Sequence, residues 1–257
     1  MNLFLKTTAL MLLLLSKAPF AAVHSPTDPS DTARSSSSSQ NQPNANVFRR
    51  SLSGLYSIRS THTQPTQPYS DFDVLYSKAH QAQIELESLC KTVGMLSGTT
   101  PYFAGVKGKL RAKDKIEKEL NGNVSRITDL ARTTLVAKDI PSLVAAYEML
   151  HKNAKILKVK NRFKSPTPSG YRDLNVLLEL PKTRLIAEVQ LHLSEIAEVK
   201  NGAEHEIYQK IQFIERTASI ESREMNDIEI QNIKRLRSKA KSLYQSAWQP
   251  YIAPQAA

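Results

Sequence analysis

From Asp71 to Leu96 the apolar residues Leu75, Ala79, Ala82, Leu86, Leu89, Val93 and Leu96 recur at alternating gaps of four and three, which places them on one face of a helix. A shorter helix is predicted over 109–120, with Lys107, Lys109, Arg111, Lys113, Lys115 and Lys118 on it or just ahead of it, and Asn121-Gly122 ends it. The β-branched run 127–136 reads as a strand. Asp139 then caps a helix with Pro141 in its first turn and Leu143, Val144, Tyr147 and Leu150 on its inner face. Strands are expected at 154–160, 171–180 and 184–192, followed by helices at 193–213 and 220–248, the last with Ile230, Ile233, Leu236, Leu243, Tyr244 and Ala247 at helical spacing. This order predicts an α/β (α+β) domain, a mixed β-sheet flanked by helices.

Alternation along the last two strands sorts their side chains. Tyr171, Asp173 and Asn175 share one face against Arg172, Leu174, Val176, Leu178 and Leu180, while Glu188, Gln190 and His192 stand against Ala187, Val189 and Leu191. Paired as a hairpin, the two strands would bring their polar faces together as a cleft floor holding Glu188. A carboxylate in an otherwise apolar strand is costly to desolvate unless a metal or another cation meets it.

The ends of the chain read differently. Residues 1–24 combine Lys6, a leucine-rich stretch and small residues at Ala21 and Ala22, the pattern of a cleavable signal peptide that would export the protein. The apolar stretch between Lys6 and Lys17 is short for a bilayer helix, so no stable membrane span is expected in the mature chain. Residues 25–70 are rich in Ser, Thr, Pro, Gln and Asn and are expected to form a disordered linker, leaving 71–257 as the folded domain. Cys90 is the only cysteine, which excludes an intramolecular disulfide. A net charge of +11 favours an anionic partner, whether nucleotide phosphates, nucleic acid or an acidic surface.

Two carboxylates distant in sequence, Asp129 and Glu188, become neighbours if their strands join one sheet, and such a pair can hold magnesium. The plainer alternative for Asp129 is a turn cap or an ion pair with Arg132. Lys160, Arg162 and Lys164 precede Pro166, Pro168 and Gly170 in a loop that would set cations against phosphates, or would simply be a solvated basic loop. Tyr171 offers a ring for base stacking or for packing. A zinc site is disfavoured, because His205-Glu206 lacks the second histidine of His-Glu-x-x-His, and there is no Gly-x4-Gly-Lys phosphate loop.

Between residues 105 and 210 these segments follow an order that resembles the synthetase domain of the RelA/SpoT family, which makes guanosine tetra- and pentaphosphate alarmones. The resemblance runs through the basic helix, Thr128-Asp129-Leu130-Ala131-Arg132, Lys160-Asn161-Arg162-Phe163, Gly170-Tyr171-Arg172-Asp173-Leu174-Asn175, Ala187-Glu188-Val189-Gln190-Leu191 and Glu204-His205-Glu206-Ile207-Tyr208. It implies Asp129 and Glu188 as catalytic magnesium ligands, Tyr171 as the platform for the acceptor base, Lys160 on acceptor phosphates, and Arg111 with Lys113 on the donor nucleotide, ATP. Arg132, Arg162, Arg172, Asn175, Gln190 and His205 complete the implied substrate-binding set, with a structural role left open for His205 and Tyr208.

The chain departs from the family where Arg172, Asp173 and Asn175 replace Gln, Ser and His, and where Arg132 replaces a glycine, so the acceptor stays open between a guanosine or adenosine nucleotide and RNA. The resemblance implies a magnesium-dependent pyrophosphokinase, as an exported effector or toxin that meets ATP, and an activator, in a host or target cell. A non-catalytic nucleotide- or RNA-binding module on the same fold is the alternative. The oligomeric state is not readable.

Overall fold

The structure, a computed structural model, describes residues 50–253. The helices are α1 (Leu52–Ser57), α2 (Phe72–Ser97), α3 (Lys109–Leu120), α4 (Ile140–Asn153), α5 (Ser194–Asn201), α6 (Ala203–Ile220) and α7 (Asp227–Ile252). The strands are β1 (Thr100–Phe103), β2 (Ala131–Ala137), β3 (Lys155–Asn161), β4 (Leu174–Glu179) and β5 (Ile186–Leu193), ordered β1-β2-β5-β4-β3 in one sheet. β2 and β5 run parallel, and the other pairs are antiparallel.

Alternation divides the sheet into two faces. Ala131 and Leu135 of β2, Ala187, Val189 and Leu191 of β5, and Leu174, Val176 and Leu178 of β4 meet across their ladders and join the core with Leu75, Ala79, Ala82, Leu86 and Val93 of α2 and Leu143 and Leu150 of α4. On the other face Lys160, Asn175, Gln190 and Thr134 line up in one row across four strands, with Leu177, Glu188 and Arg132 in the next. The predicted polar floor is therefore present, and α3 and α5–α7 stand around it.

Several expectations change. The strand over 127–136 begins only at Ala131, so Asp129 sits in the extended lead-in, and Tyr171 to Asp173 lie in the loop before β4. The helix expected over 193–213 breaks at Gly202, whose backbone (φ −113°, ψ −111°) is not helical, and α6 then runs on to Ile220. The last helix starts at Asp227, fixed by a capping box between Asn226 and Glu229, and continues to Ile252.

The largest correction concerns 50–70, which the linker reading assigned to disorder. α1 buries Leu55, and Asn161 Nδ2 donates to the carbonyls of Leu55 (2.7 Å) and Ile58 (3.0 Å). Beyond it the chain lies along edge strand β3, with Thr61 N to Val159 O at 2.9 Å and Val159 N to Thr61 Oγ1 at 2.9 Å. Gln67 is buried and bridges the backbones of Ile127 and Ile186. Serine, threonine and glutamine look like linker by composition, yet here their polar groups satisfy an exposed sheet edge. The rest of the expected linker and the predicted signal peptide lie outside the described residues.

Candidate active site

Asp129 is 4% exposed in the lead-in to β2, and two ammonium groups reach its Oδ2: Lys115 Nζ at 2.7 Å and Lys107 Nζ at 3.2 Å. Its Oδ1 is buried without a hydrogen-bond partner. Burial opposes the charge of Asp129, but Lys115 and Lys107 outweigh it and hold the carboxyl below its ordinary range. The same pairing raises Lys115 against the pull of burial, whereas for the more distant Lys107 burial wins and its pKa falls.

Glu188 faces the cleft from β5 and accepts from Asn175 Nδ2 at 2.8 Å. Burial, and then the neighbouring charge of Asp129, push its pKa up. Their surroundings thus shift the two carboxyl groups in opposite directions, a pattern that favours assigning them different tasks. Arg132, opposite Glu188 on β2, is 6% exposed with an unpartnered Nε; burial lowers its pKa while Asp129 and Glu188 support its charge. Arg111 is exposed and close enough for its charge to bear on Arg132.

Helical geometry sorts the basic helix. Arg111 and Lys115, four residues apart, share the face toward Asp129. Lys113 does not join them: its ammonium lies 5.2 Å from the Phe72 ring centroid, on the side toward α2. The resemblance-based Arg111–Lys113 pair is therefore split, and Lys115 and Lys107 are the cations it overlooked. The interval of four between Arg111 and Lys115 carries that signal for Lys115, whereas Lys107 lies ahead of the helix and no periodicity points to it.

Farther along the floor Lys160 is part-buried, its pKa lowered by burial and then by Arg162, with Glu188 in electrostatic range. Arg162 is committed to Asp173, Nη1 to Oδ1 at 2.6 Å, and Asp173 is 0% exposed. The hydroxyl of Tyr171 donates to Asp173 Oδ2 at 2.8 Å, which leaves it to accept from His192 Nε2 at 2.6 Å. Burial keeps that imidazole neutral.

Tyr171 departs from the expectation of an open stacking platform: it is 1% exposed, with the Tyr244 ring of α7 packed 5.7 Å away at 66°. Arg172 turns to the Phe163 carbonyl (2.7 Å) and stacks 5.1 Å above Trp248. Gln190 accepts from Lys200 Nζ at 3.0 Å, a buried lysine of α5 that alternation in the strands does not reveal. His205 makes its hydrogen bond along its own helix with Gln209, while Glu204 is the buried group, receiving Tyr244 Oη at 3.1 Å. Among the described residues no group of three or more His, Cys, Asp or Glu gathers to hold a metal, and no helix is long and apolar enough to cross a membrane.

No protein-family model matches the chain. In sequence it is similar to the (p)ppApp synthetase toxin Tas1 of Pseudomonas aeruginosa, 25% identical over 131 residues that make up 51% of this chain and 29% of that protein. The match thus spans well under half of that relative's length. In structure it is similar to the type VI effector Tas1, solved in complex with its immunity protein, with a TM-score of 0.52 and 20% identity over 69% of this chain and 96% of that one. The small alarmone synthetase 2 of Bacillus subtilis aligns with a TM-score of 0.49 and 19% identity, over 68% and 95% of the two chains. With its five-stranded mixed sheet and flanking helices, the chain has the fold of the effector Tas1.

Proposed function

We propose that the protein is a pyrophosphokinase that moves the terminal diphosphate of ATP to a ribose hydroxyl of an acceptor nucleotide, with RNA as the alternative acceptor. The observation that carries this reading is the pair of carboxyl groups Asp129 and Glu188, the first reached by Lys107 and Lys115 with one oxygen left unpartnered, the second set opposite Arg132 across the β2–β5 ladder, with Arg111 nearby. Phosphoryl-type transfer requires positioning and charge neutralisation more than covalent chemistry, and this arrangement supplies both. Arg111, Lys115 and Arg132 bind the donor phosphates, and Lys160 binds those of the acceptor.

The acceptor hydroxyl attacks the β-phosphorus of ATP, a ribose O–P bond forms, the α–β anhydride breaks, and AMP leaves. Glu188, oriented by Asn175 and raised in basicity, takes the hydroxyl proton. The donor set suits magnesium: Asp129 Oδ1 is a buried oxygen without a partner, and two carboxylates plus waters and phosphates are the usual shell. Asp129 and Glu188 would hold the ion, which supplies charge neutralisation on the transferred phosphates.

The domain is proposed to begin near residue 50, behind an exported leader, and to serve as an effector or toxin, the role that the similarity to the toxin Tas1 supports. ATP is an intracellular substrate, so the site of action is a host or target cell, where an activator is a natural partner. A non-catalytic nucleotide- or RNA-binding module is the second reading, favoured by the enclosure of Tyr171.

Mass spectrometry after incubation with magnesium, ATP and GTP, GDP, ADP, AMP or tRNA tests this. An acceptor that gains a diphosphate while AMP appears, and a silent Glu188→Gln variant, are expected. Folded protein that transfers to none of them, yet retains a nucleotide without magnesium, would establish the binding module instead.

A further inference from the structure

The polar floor continues past Glu188 into a region that is closed. Asn175, Gln190, His192 and Asp173 of the floor, with Lys200 of α5 and Glu204 of α6 facing inward from above, are each at most 9% exposed. An amide-, imidazole- and carboxylate-lined surface is poor material for a hydrophobic core and good material for a polar ligand. α5 lies on the sheet itself, and α7 packs on α5 and across the loop that carries Phe163, Gly170, Tyr171 and Arg172. Tyr244 packs on Tyr171, Trp248 lies 5.5 Å from Phe163 and beneath the Arg172 guanidinium, and a Cβ on Gly170 would come within 3.2 Å of Lys241 Cα.

Only part of the cover packs on itself. Ile207 and Ile211 of α6 pack with Ile233 and Ala240 of α7 in their own apolar cluster, while Tyr244, Ala247 and Trp248 farther along α7 belong to the sheet's core and hold the hairpin to it. That hairpin joins α5 through the non-helical Gly202. The Tyr244–Glu204 hydrogen bond lies within the hairpin, whereas the Tyr251 hydroxyl latches its far end to Ser194 Oγ (3.0 Å) and Glu195 N (3.3 Å).

We propose that α7 is a lid over the acceptor half of the cleft, and that an acceptor nucleotide enters only when the α6–α7 hairpin lifts from the sheet. This rests on the pyrophosphokinase reading. The donor side, at Lys107, Arg111 and Lys115, lies on α3 and its lead-in, outside the α6–α7 hairpin, and Arg111 there is exposed. A binding-competent state that is populated only in part weakens apparent acceptor affinity by that fraction, so loosening the lid tightens binding.

The chain's one tryptophan, Trp248, sits at the lid contact and reports on it. Acrylamide quenching of its fluorescence is measured on the full protein with and without ADP or GDP, alongside product formation. The acceptor is expected to raise the quenching constant about twofold, and Trp248→Ala is expected to bind it about tenfold more tightly with ATP affinity unchanged. Tyr251→Phe, which removes only the latch hydroxyl, is expected to move affinity the same way and guards against misfolding of the first variant. Transfer that appears only in the loosened variants also supports the lid. Transfer by the unaltered protein with Trp248 equally shielded and Tyr251→Phe no tighter overturns the lid alone. No transfer from any of the three proteins overturns the pyrophosphokinase reading, and the lid with it.

Discussion

Asp129 and Glu188 belong to one site but are asked for opposite things by their surroundings. Asp129 is compensated by ammonium groups, and its lowered pKa means that its stabilisation is present above the ordinary carboxyl range and lost as pH falls through the lowered value. Glu188 is raised, so the folded protein holds its proton more firmly than the unfolded chain does, and stability declines as pH climbs from the ordinary carboxyl value through the raised one. Glu188→Gln, which keeps an oxygen for Asn175, is therefore expected to abolish transfer while stabilising the magnesium-free protein at pH 7.5 by about 1 kcal/mol in urea unfolding. A destabilised variant would mean that the charge at Glu188 is supported rather than strained. Lys115→Met has the reverse sign: it strands half of Asp129's compensation and is expected to cost roughly 1–3 kcal/mol. Pairing it with Asp129→Asn should recover part of that loss in a double-mutant cycle.

Among the elements, those with a strong period were legible: the alternating four-three pattern located α2 within a residue at each end, and the Asp139 cap located α4. The short strand β1 and helix α1 were not, because four and six residues carry too few apolar positions to show a period. Strand alternation placed Glu188, Gln190 and Asn175 on one surface, which the ladder bears out. It is silent about what covers a face, and so Tyr171 was expected open when α7 lies across it. The break at Gly202 was hidden because the apolar spacing continues on both sides. That break turns Glu204 inward, where burial, then offset by Tyr244 and Lys200, raises its pKa to about 7. The folded state thus favours the protonated form, and stability of the α6–α7 hairpin is expected to fall between about pH 4.5 and about 7 as the group ionises in place. Hydrogen exchange along α6 and α7 across that range measures it, and Glu204→Gln should flatten the profile; an unchanged profile would place the titration elsewhere.

At the scale of the whole molecule the boundary of the domain changes what can be tested at all. A chain cut at residue 71 keeps every helix and strand of the predicted order but loses α1 and the segment along β3. Leu55, wholly buried, leaves a hole worth about 2 kcal/mol in apolar burial. Gln67 takes with it hydrogen bonds to Ile127 O, Ile186 O and Ile186 N, each worth about 1 kcal/mol, and Asn161 is left with its buried amide unsatisfied. Against these stands the entropy of ordering an extended strap. The 71–257 fragment is expected to be less stable than 50–257 by at least about 3 kcal/mol, a drop in Tm of about 10 °C for a chain of this size. It should also self-associate, because β3 then presents unpaired backbone at the sheet edge. Thermal unfolding and size-exclusion chromatography of the two fragments decide the matter. Equal melting and a monomeric short form would show that the strap merely rests on the sheet, and the folded domain would then start where the hydrophobic period of α2 does.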